Sequence, residues 1–258
     1  MKKFNLKYVI SFFVALLLLS SCLGNQRNVI QSSTFGVMRY DYEKQRYVLD
    51  VSEDESCYHI QFQTASEDDC FWIYYELDYE SPENTLENVM DSKGNMTYNV
   101  SLIDKKPVDL GSVYYAVDTS SVKPGEVAII DPMYDGVLAY IRGKMFIVST
   151  MNIPDNQDMW WELSFDFNNL VTEVGGRRYY DLYLRSTIKD KGTKTPEERM
   201  IAISFDMFTY LKSVVQKEKE LSGEDFRLRI HYPSAISEEG EITWKYKESQ
   251  SIPVSLIY

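Results

Sequence analysis

Apolar and polar side chains alternate with a period of two along much of this chain. Tyr58, Ile60 and Phe62 alternate with His59, Gln61 and Gln63, and Phe71, Ile73, Tyr75 and Leu77 with Trp72, Tyr74 and Glu76. That period predicts half-buried strands, and the polar or small residues Thr64 to Asp69 between them suit a hairpin loop. Tyr98, Val100 and Leu102 make another stripe before Lys105-Lys-Pro107. The second half is cleaner: Trp161, Leu163, Phe165 and Phe167, then Tyr180, Leu182 and Leu184, then Ile201, Ile203 and Phe205. Phe226, Leu228, Ile230 and Tyr232 follow, then Ile242, Trp244 and Tyr246. With Val137 to Ile141 and Met145 to Ser149 these make about seven short strands, the expectation for a sandwich.

One stretch departs from period two. Tyr210, Leu211, Val214, Val215, Glu218 and Leu221 recur at helical spacing without Gly or Pro, and Ser222-Gly223 can close the turn, so one short helix is predicted there. Pro and Gly punctuate Lys105-Lys-Pro-Val-Asp-Leu-Gly111, and a domain boundary is expected near residue 110.

The first 22 residues have a different grammar. Basic Lys2, Lys3 and Lys7 precede an apolar run from Val9 to Leu19, and Ser20-Ser21 lead into Cys22. That order is a secretory signal, and the run is short of the ~20 apolar residues a membrane span needs. Leu19-Ser-Ser-Cys22 resembles the lipobox of bacterial lipoproteins. The resemblance implies cleavage before Cys22 and lipid on its thiol and new amino group, anchoring the mature chain to an envelope membrane; stable anchoring takes more than one acyl chain. Plain signal cleavage near Ser21 is the weaker alternative, because Cys22 falls where the lipobox requires it. The expected organisation is therefore a signal peptide over 1–21, a lipidated tether over 22–34, a first β domain over 35–110 and a sandwich over 111–258. No acidic cluster follows Cys22, which favours the periplasmic face of the outer membrane over the cell surface.

Removing residues 1–21 takes three Lys and no acid, leaving 24 basic against 39 acidic side chains, a net charge of −15. Such a surface repels phosphate backbones and excludes nucleic acid as a natural partner. After Cys22, only Cys57 and Cys70 remain, in a compartment that permits disulfides. Each begins a strand-like stretch on the face opposite the apolar residues, and bridge or free thiols are both open.

Order and pattern together resemble the NigD-like lipoproteins of gut and oral Gram-negative anaerobes. The residues that carry the likeness are Leu19 to Cys22, Phe71 to Tyr79 with Tyr98 to Ile103, Met145 to Phe167, Asp181-Leu-Tyr-Leu-Arg185 and Ile201-Ala-Ile-Ser-Phe-Asp206. The resemblance implies an all-β protein, a small OB-like barrel followed by an immunoglobulin-like β-sandwich, and brings no catalytic residues with it.

Catalytic chemistry finds little footing. The only histidines, His59 and His231, lie one in each expected domain on polar strand faces. There is no zinc spacing, no Gly-x-Ser-x-Gly elbow and no phosphate loop. Asp155-Asn-Gln-Asp158 lacks the spacing and Gly of a calcium loop and is expected as a turn. No metal or cofactor is expected. The leading expectation is a non-catalytic envelope lipoprotein that binds a protein partner or assembly. Trp72, Tyr74 and Trp160 fall on faces opposite their strands' apolar stripes. They are candidate contacts for a partner or a glycan, though facing domains would bury them. A carboxylate-based hydrolase is the third reading, motivated by acid content alone.

Overall fold

The computed structural model describes residues 28–136 and 138–257. The signal segment and Cys22 lie outside the described residues, as does Val137.

Six strands build the first sheet: β1 (Val29–Asp41), β2 (Arg46–Asp50), β3 (Glu55–Tyr58), β4 (Cys70–Asp78), β5 (Met96–Asn99) and β6 (Ser101–Pro107). Their order is β5-β3-β2-β1-β4-β6, which leaves β5 and β6 as edges. A one-turn helix, α1 (Leu86–Val89), precedes β5. The long β1 makes the curl: its first part pairs with β4 and its last part with β2, Val37 standing opposite both Cys70 and Asp50. Gly36 sits at that crossing because a Cβ there would lie 2.5 Å from Leu49 Cγ and 2.8 Å from the Asp50 carbonyl oxygen. Inside the curl lie Met38, Leu49, Phe62, Ile73 and Leu77.

The expected strand over Tyr58 to Gln63 is overturned. β3 stops at Tyr58 and Ile60–Thr64 is a 3-10 turn, capped by His59 Nδ1, which accepts from Gln61 N at 3.3 Å. Period three then separates residues that period two would align, so Phe62 is buried and Ile60 exposed. The Gln63 amide bonds both backbone groups of Tyr47, at 3.2 and 3.1 Å, doing with a side chain what a strand would do with its backbone. The expected hairpin across Thr64 to Asp69 is absent for the same reason: β4 pairs with β1 and β6, not with the segment before the loop.

The second region contains β7 (Asp109–Tyr114), β8 (Leu138–Ile141), β9 (Lys144–Ile153), β10 (Asp158–Ser164), β11 (Thr172–Val174), β12 (Arg177–Asp190) and β13 (Glu197–Asp206). After these come the helix α2 (Phe208–Glu220), β14 (Asp225–Phe226), β15 (Leu228–Ile236), β16 (Ile242–Glu248) and β17 (Ile252–Pro253). Strands β8, β9 and β13 form one layer, and β10, β12, β15 and β16 the other. Between them β7 changes partner midway, running parallel to β13 over Asp109–Gly111 and to β10 over Ser112–Tyr114. Gly111 marks the change, since a Cβ there would meet the Phe205 ring at 2.2 Å. Met145, Ile147 and Met151 of one layer share a core with Leu163, Leu182 and Leu228 of the other. The all-β class and the single sandwich helix agree with the pattern of the chain; each of the seven expected strands is found, the Phe226–Tyr232 stretch divided between β14 and β15, with β7, β11 and β17 in addition. Phe165 and Phe167 do not extend β10 as expected: past its end at Ser164, Phe165 plugs the core 4.1 Å from the Tyr210 ring and Phe167 is exposed. The helix is clamped by Glu218, which is fully buried and accepts from Arg178 at 2.7 Å and Tyr180 Oη at 2.7 Å.

The polar face of the first sheet is covered by the sandwich at one end. Phe35, Val37 and Cys70 point away from the curl and pack on Ile141 and Phe146 of the sandwich, with Trp72 at the margin. Phe35 and Phe146 stack at 5.1 Å with 15° between their planes. Replacing Phe146 by Ala removes a fully buried ring from the joint, and the expected cost is about 3–5 kcal/mol. Urea unfolding followed by tryptophan fluorescence checks it, and an unchanged midpoint would contradict a joint that stabilises both domains.

Candidate functional site: the groove between the domains

Where the curl meets the sandwich, a groove of about 760 Å³ opens. Its floor is built from Asp50, the last residue of β2, only 5% exposed. Such a carboxylate must be paired to remain charged. Arg39 Nε donates to it at 2.9 Å, Ser56 Oγ at 2.6 Å and, from the other domain, Arg142 Nη1 at 2.9 Å. Burial works against the Arg39 cation, but Asp50 outweighs it and holds the guanidinium above its ordinary value. Arg142 reaches across because Arg142-Gly143 is the two-residue turn joining β8 to β9, with φ of 49° and 82°. Positive φ at both positions gives the turn whose twist suits a hairpin. The walls are turns: Asp41 to Lys44 between β1 and β2, Glu53 and Asp54 between β2 and β3, and Asp91 to Asn95 before β5. Tyr42 and Phe208 stand at the lip, both exposed. A second hollow of about 510 Å³ shares Glu53, Tyr140 and Ile141 with the first.

The aromatic candidates do not converge. Trp72 is half-buried against the joint and lines the second hollow, with Lys106 Nζ 5.4 Å from its ring centroid. Tyr74, on the same face of β4, donates to Gln31 Oε1 of β1 at 2.6 Å. Trp160 belongs to the sandwich, is 55% exposed, carries Lys189 Nζ 4.9 Å above its ring, and lines neither hollow.

Cys57 and Cys70 are both free and both buried, and of the two only Cys57 departs from its expected position opposite the apolar face. Cys57 enters the core of the curl and Cys70 the joint. Burial, with Glu55 nearby, pushes the Cys57 thiol up to about 12, and burial raises Cys70 as well. Asp155 of the expected turn is paired with Lys194 at 2.7 Å. Among the described residues no group of three or more His, Cys, Asp or Glu is placed to hold a metal.

A second charged cluster escaped the sequence reading. On the outer face of β12 and β15, Asp181 accepts from Arg229, from Thr172 Oγ1 at 2.7 Å and stands 2.7 Å from His231 Nε2. His231, expected as an exposed strand residue, keeps 18% of its side-chain surface and stacks on Tyr183 at 4.6 Å. The polar faces were legible, but the parallel register that sets Asp181 opposite Arg229 and Tyr183 opposite His231 was not. No serine or cysteine hydrogen-bonds His231 among the described residues, so the pair is not a nucleophile-activating dyad.

A curled OB-type sheet fixed to a β-sandwich defines the class: an all-β protein with a groove where the two parts meet. Residues 25–102 match the family model described as Lipoprotein OB domain. Over those residues the first domain is similar to a lipoprotein OB domain, which is consistent with the likeness to the NigD-like lipoproteins. The fold is similar to that of an uncharacterized protein from Parabacteroides merdae, at 18% identity and a TM-score of 0.72, over 86% of this chain and 99% of the other. It is also similar to a DUF1344 protein of unknown function from Bacteroides vulgatus, at 13% identity and a TM-score of 0.52, over 87% of this chain and 92% of the other. No curated protein matches the sequence.

Two solution measurements follow from these placements. Burial tends to raise the Asp181 carboxyl, but the hydrogen bonds from His231, Arg229 and Thr172 prevail and leave it well below its ordinary value. Its contribution to stability is then full above the unfolded value of ~3.9 and lost as pH falls through the folded value. The urea midpoint is expected to hold near neutrality and to drop below about pH 4. Asp181→Asn is expected to be less stable at pH 7 and to show a shallower acid decline; an identical decline would remove Asp181 as its source. For the thiols, Ellman's reagent at pH 8 is expected to react slowly with native residues 25–258 and to count two thiols after denaturation. A count of zero would mean a disulfide.

Proposed function

We propose that the chain is a non-catalytic envelope lipoprotein, lipidated at Cys22, that holds a protein partner in the groove between its two domains. The single observation that carries this reading is the floor of that groove. Arg39 of the first domain and Arg142 of the second close on one buried carboxylate, Asp50. Ligand sites commonly lie where domains meet, and here the joint is held by a stacked aromatic pair, so the two walls present one preformed surface.

The placement of the anchor supports the same reading. The tether enters β1 at Val29, and β1 delivers Arg39, Tyr40 and Asp41 to the groove at its far end. Thirteen extended residues span about 40 Å. Lipid on Cys22 would thus leave the groove pointing away from the membrane, into the periplasm for an outer-membrane protein facing inward.

The test is capture from envelope extracts by residues 25–258, repeated with Tyr42→Ala/Phe208→Ala at the lip and with Trp160→Ala on the sandwich. The expected result is a partner whose capture falls roughly tenfold in the lip variant, the scale of a modest interface contact, and is unchanged in Trp160→Ala. Capture indifferent to the lip would overturn the groove as the site. Retardation in a polysaccharide affinity gel, lost in Trp160→Ala alone, would replace the proposal with a glycan-binding function.

A further inference from the structure

The groove's charges do not balance, and the imbalance has a chemical consequence. Seven carboxylates line it against four basic side chains. Two of the four, Arg39 and Arg142, bind the carboxylate of Asp50, Lys44 Nζ donates to the Asn88 carbonyl oxygen at 3.0 Å, and Lys93 is the fourth, so the lining carries three more carboxylates than cations. The carboxylates of Asp41, Asp54 and Asp91 accept only from turn amides and hydroxyls or from Asn95, which bring no positive charge. Glu43, Glu53 and Glu67 are exposed, and their carboxylates have no hydrogen-bond or ion-pair partner among the described residues.

Two further features point the same way. The groove already holds two guanidinium groups side by side on its floor, so the site demonstrates the chemistry it favours. Its lip offers aromatic rings, Tyr42 at 78% and Phe208 at 54% exposure, with Tyr40 set edge-on to Tyr42 at 5.0 Å. Aromatic faces attract ammonium and guanidinium groups, and a concave wall of one charge sign concentrates ions of the other sign.

We infer that the groove takes a segment of a partner polypeptide bearing Lys or Arg, whose cations meet Glu43, Glu53 and Glu67 while its stems lie on Tyr42 and Phe208. The inference rests on the groove being the partner site and adds the charge of what enters it. A polypeptide segment suits the shape, because the carboxylates are spread over three turns rather than gathered around one point. It also implies association that weakens with salt, since exposed charges are screened over ~8 Å at physiological ionic strength.

The probe is fluorescein-labelled hexalysine, with hexaglutamate as its opposite, titrated by anisotropy into residues 25–258, which contain every described strand. The whole surface is acidic, so the decisive comparison is between two variants of equal net charge. Glu43→Gln/Glu53→Gln/Glu67→Gln neutralises the groove, and Glu238→Gln/Glu239→Gln/Glu241→Gln neutralises the exposed turn between β15 and β16. The expected result is hexalysine binding that falls roughly tenfold in the groove triple and changes little in the turn triple, as for complementary charges in contact. Equal losses in both would assign binding to the general acidity of the surface and overturn the inference, as would no loss in either. An unchanged urea midpoint shows that the groove triple is folded. If the captured partner depends on Tyr42 and Phe208 while hexalysine is indifferent to the three glutamates, the cationic ligand is wrong and the groove still right. If capture ignores Tyr42 and Phe208, the groove itself is wrong.

Discussion

Asp50 is a carboxylate with almost no access to water, and an isolated charge in that position would cost several kcal/mol. Three donors meet that cost. Arg39 supplies one cation along the first sheet, Ser56 supplies a hydroxyl from the next strand, and the remaining acceptor capacity requires something from outside the domain. Arg142 provides it. The first domain therefore completes its own electrostatics only when the β8–β9 turn is docked, which turns a contact between domains into a condition for burying Asp50. The apolar joint of Phe35, Val37, Cys70, Ile141 and Phe146 gives the docking its affinity; the ion cluster gives it register. Register is the best-attested use of such buried ionic groups.

The same joint explains where the chain was readable and where it was not. Each sandwich strand buries one face against a partner layer, so Trp161, Leu163, Leu182, Leu184 and Ile230 announce themselves by alternation. The helix does likewise, because Tyr210, Leu211, Val214 and Val215 repeat on one side. In the first domain, β1 and β4 are covered on both faces around Phe35, Val37 and Cys70, by the curl and by the sandwich. A strand with two buried faces loses the distinction between inner and outer residues, and Cys70 and Trp72 then look like solvent-facing positions when they belong to the joint. The turn over Ile60–Thr64 fails differently. Its residues alternate by type, yet the capping His59 and the backbone-mimicking Gln63 select period three, and neither bond is visible until Tyr47 is alongside.

The groove was less legible than the fold for a reason of distance along the chain. Its floor joins positions 39, 50, 56 and 142, and its walls come from turns whose Asp, Glu, Gly and Ser content reads as ordinary solvated loop. Only Arg142-Gly143 carried a local signal, since a residue followed by Gly between two apolar runs suits a hairpin turn with positive φ. That signal predicts a turn and says nothing of the carboxylate it will meet. The exposed aromatics drew attention because type alone marks them, whereas the acids of the groove matter through arrangement, which type does not encode.

Two charge clusters in one molecule make the point by contrast. On the sandwich face, Asp181 has its acceptors filled by Thr172, Arg229 and His231, and Tyr183 lies flat on the imidazole; a carboxylate so satisfied ties β12 to β15 and offers little to a ligand. In the groove, Asp50 is satisfied in the same way, but the carboxylates above it are not. Saturated pairs resist exchange, because a newcomer must replace bonds as good as those it breaks. Unsaturated carboxylates in water lose only solvent when a cation arrives, and they do so more readily on a wall that folding has already positioned. The division between a floor that holds the domains together and a rim that remains open is therefore a division of chemistry as well as of place. The floor keeps the walls apart at a fixed width, and it does so without spending the charges that a partner would meet.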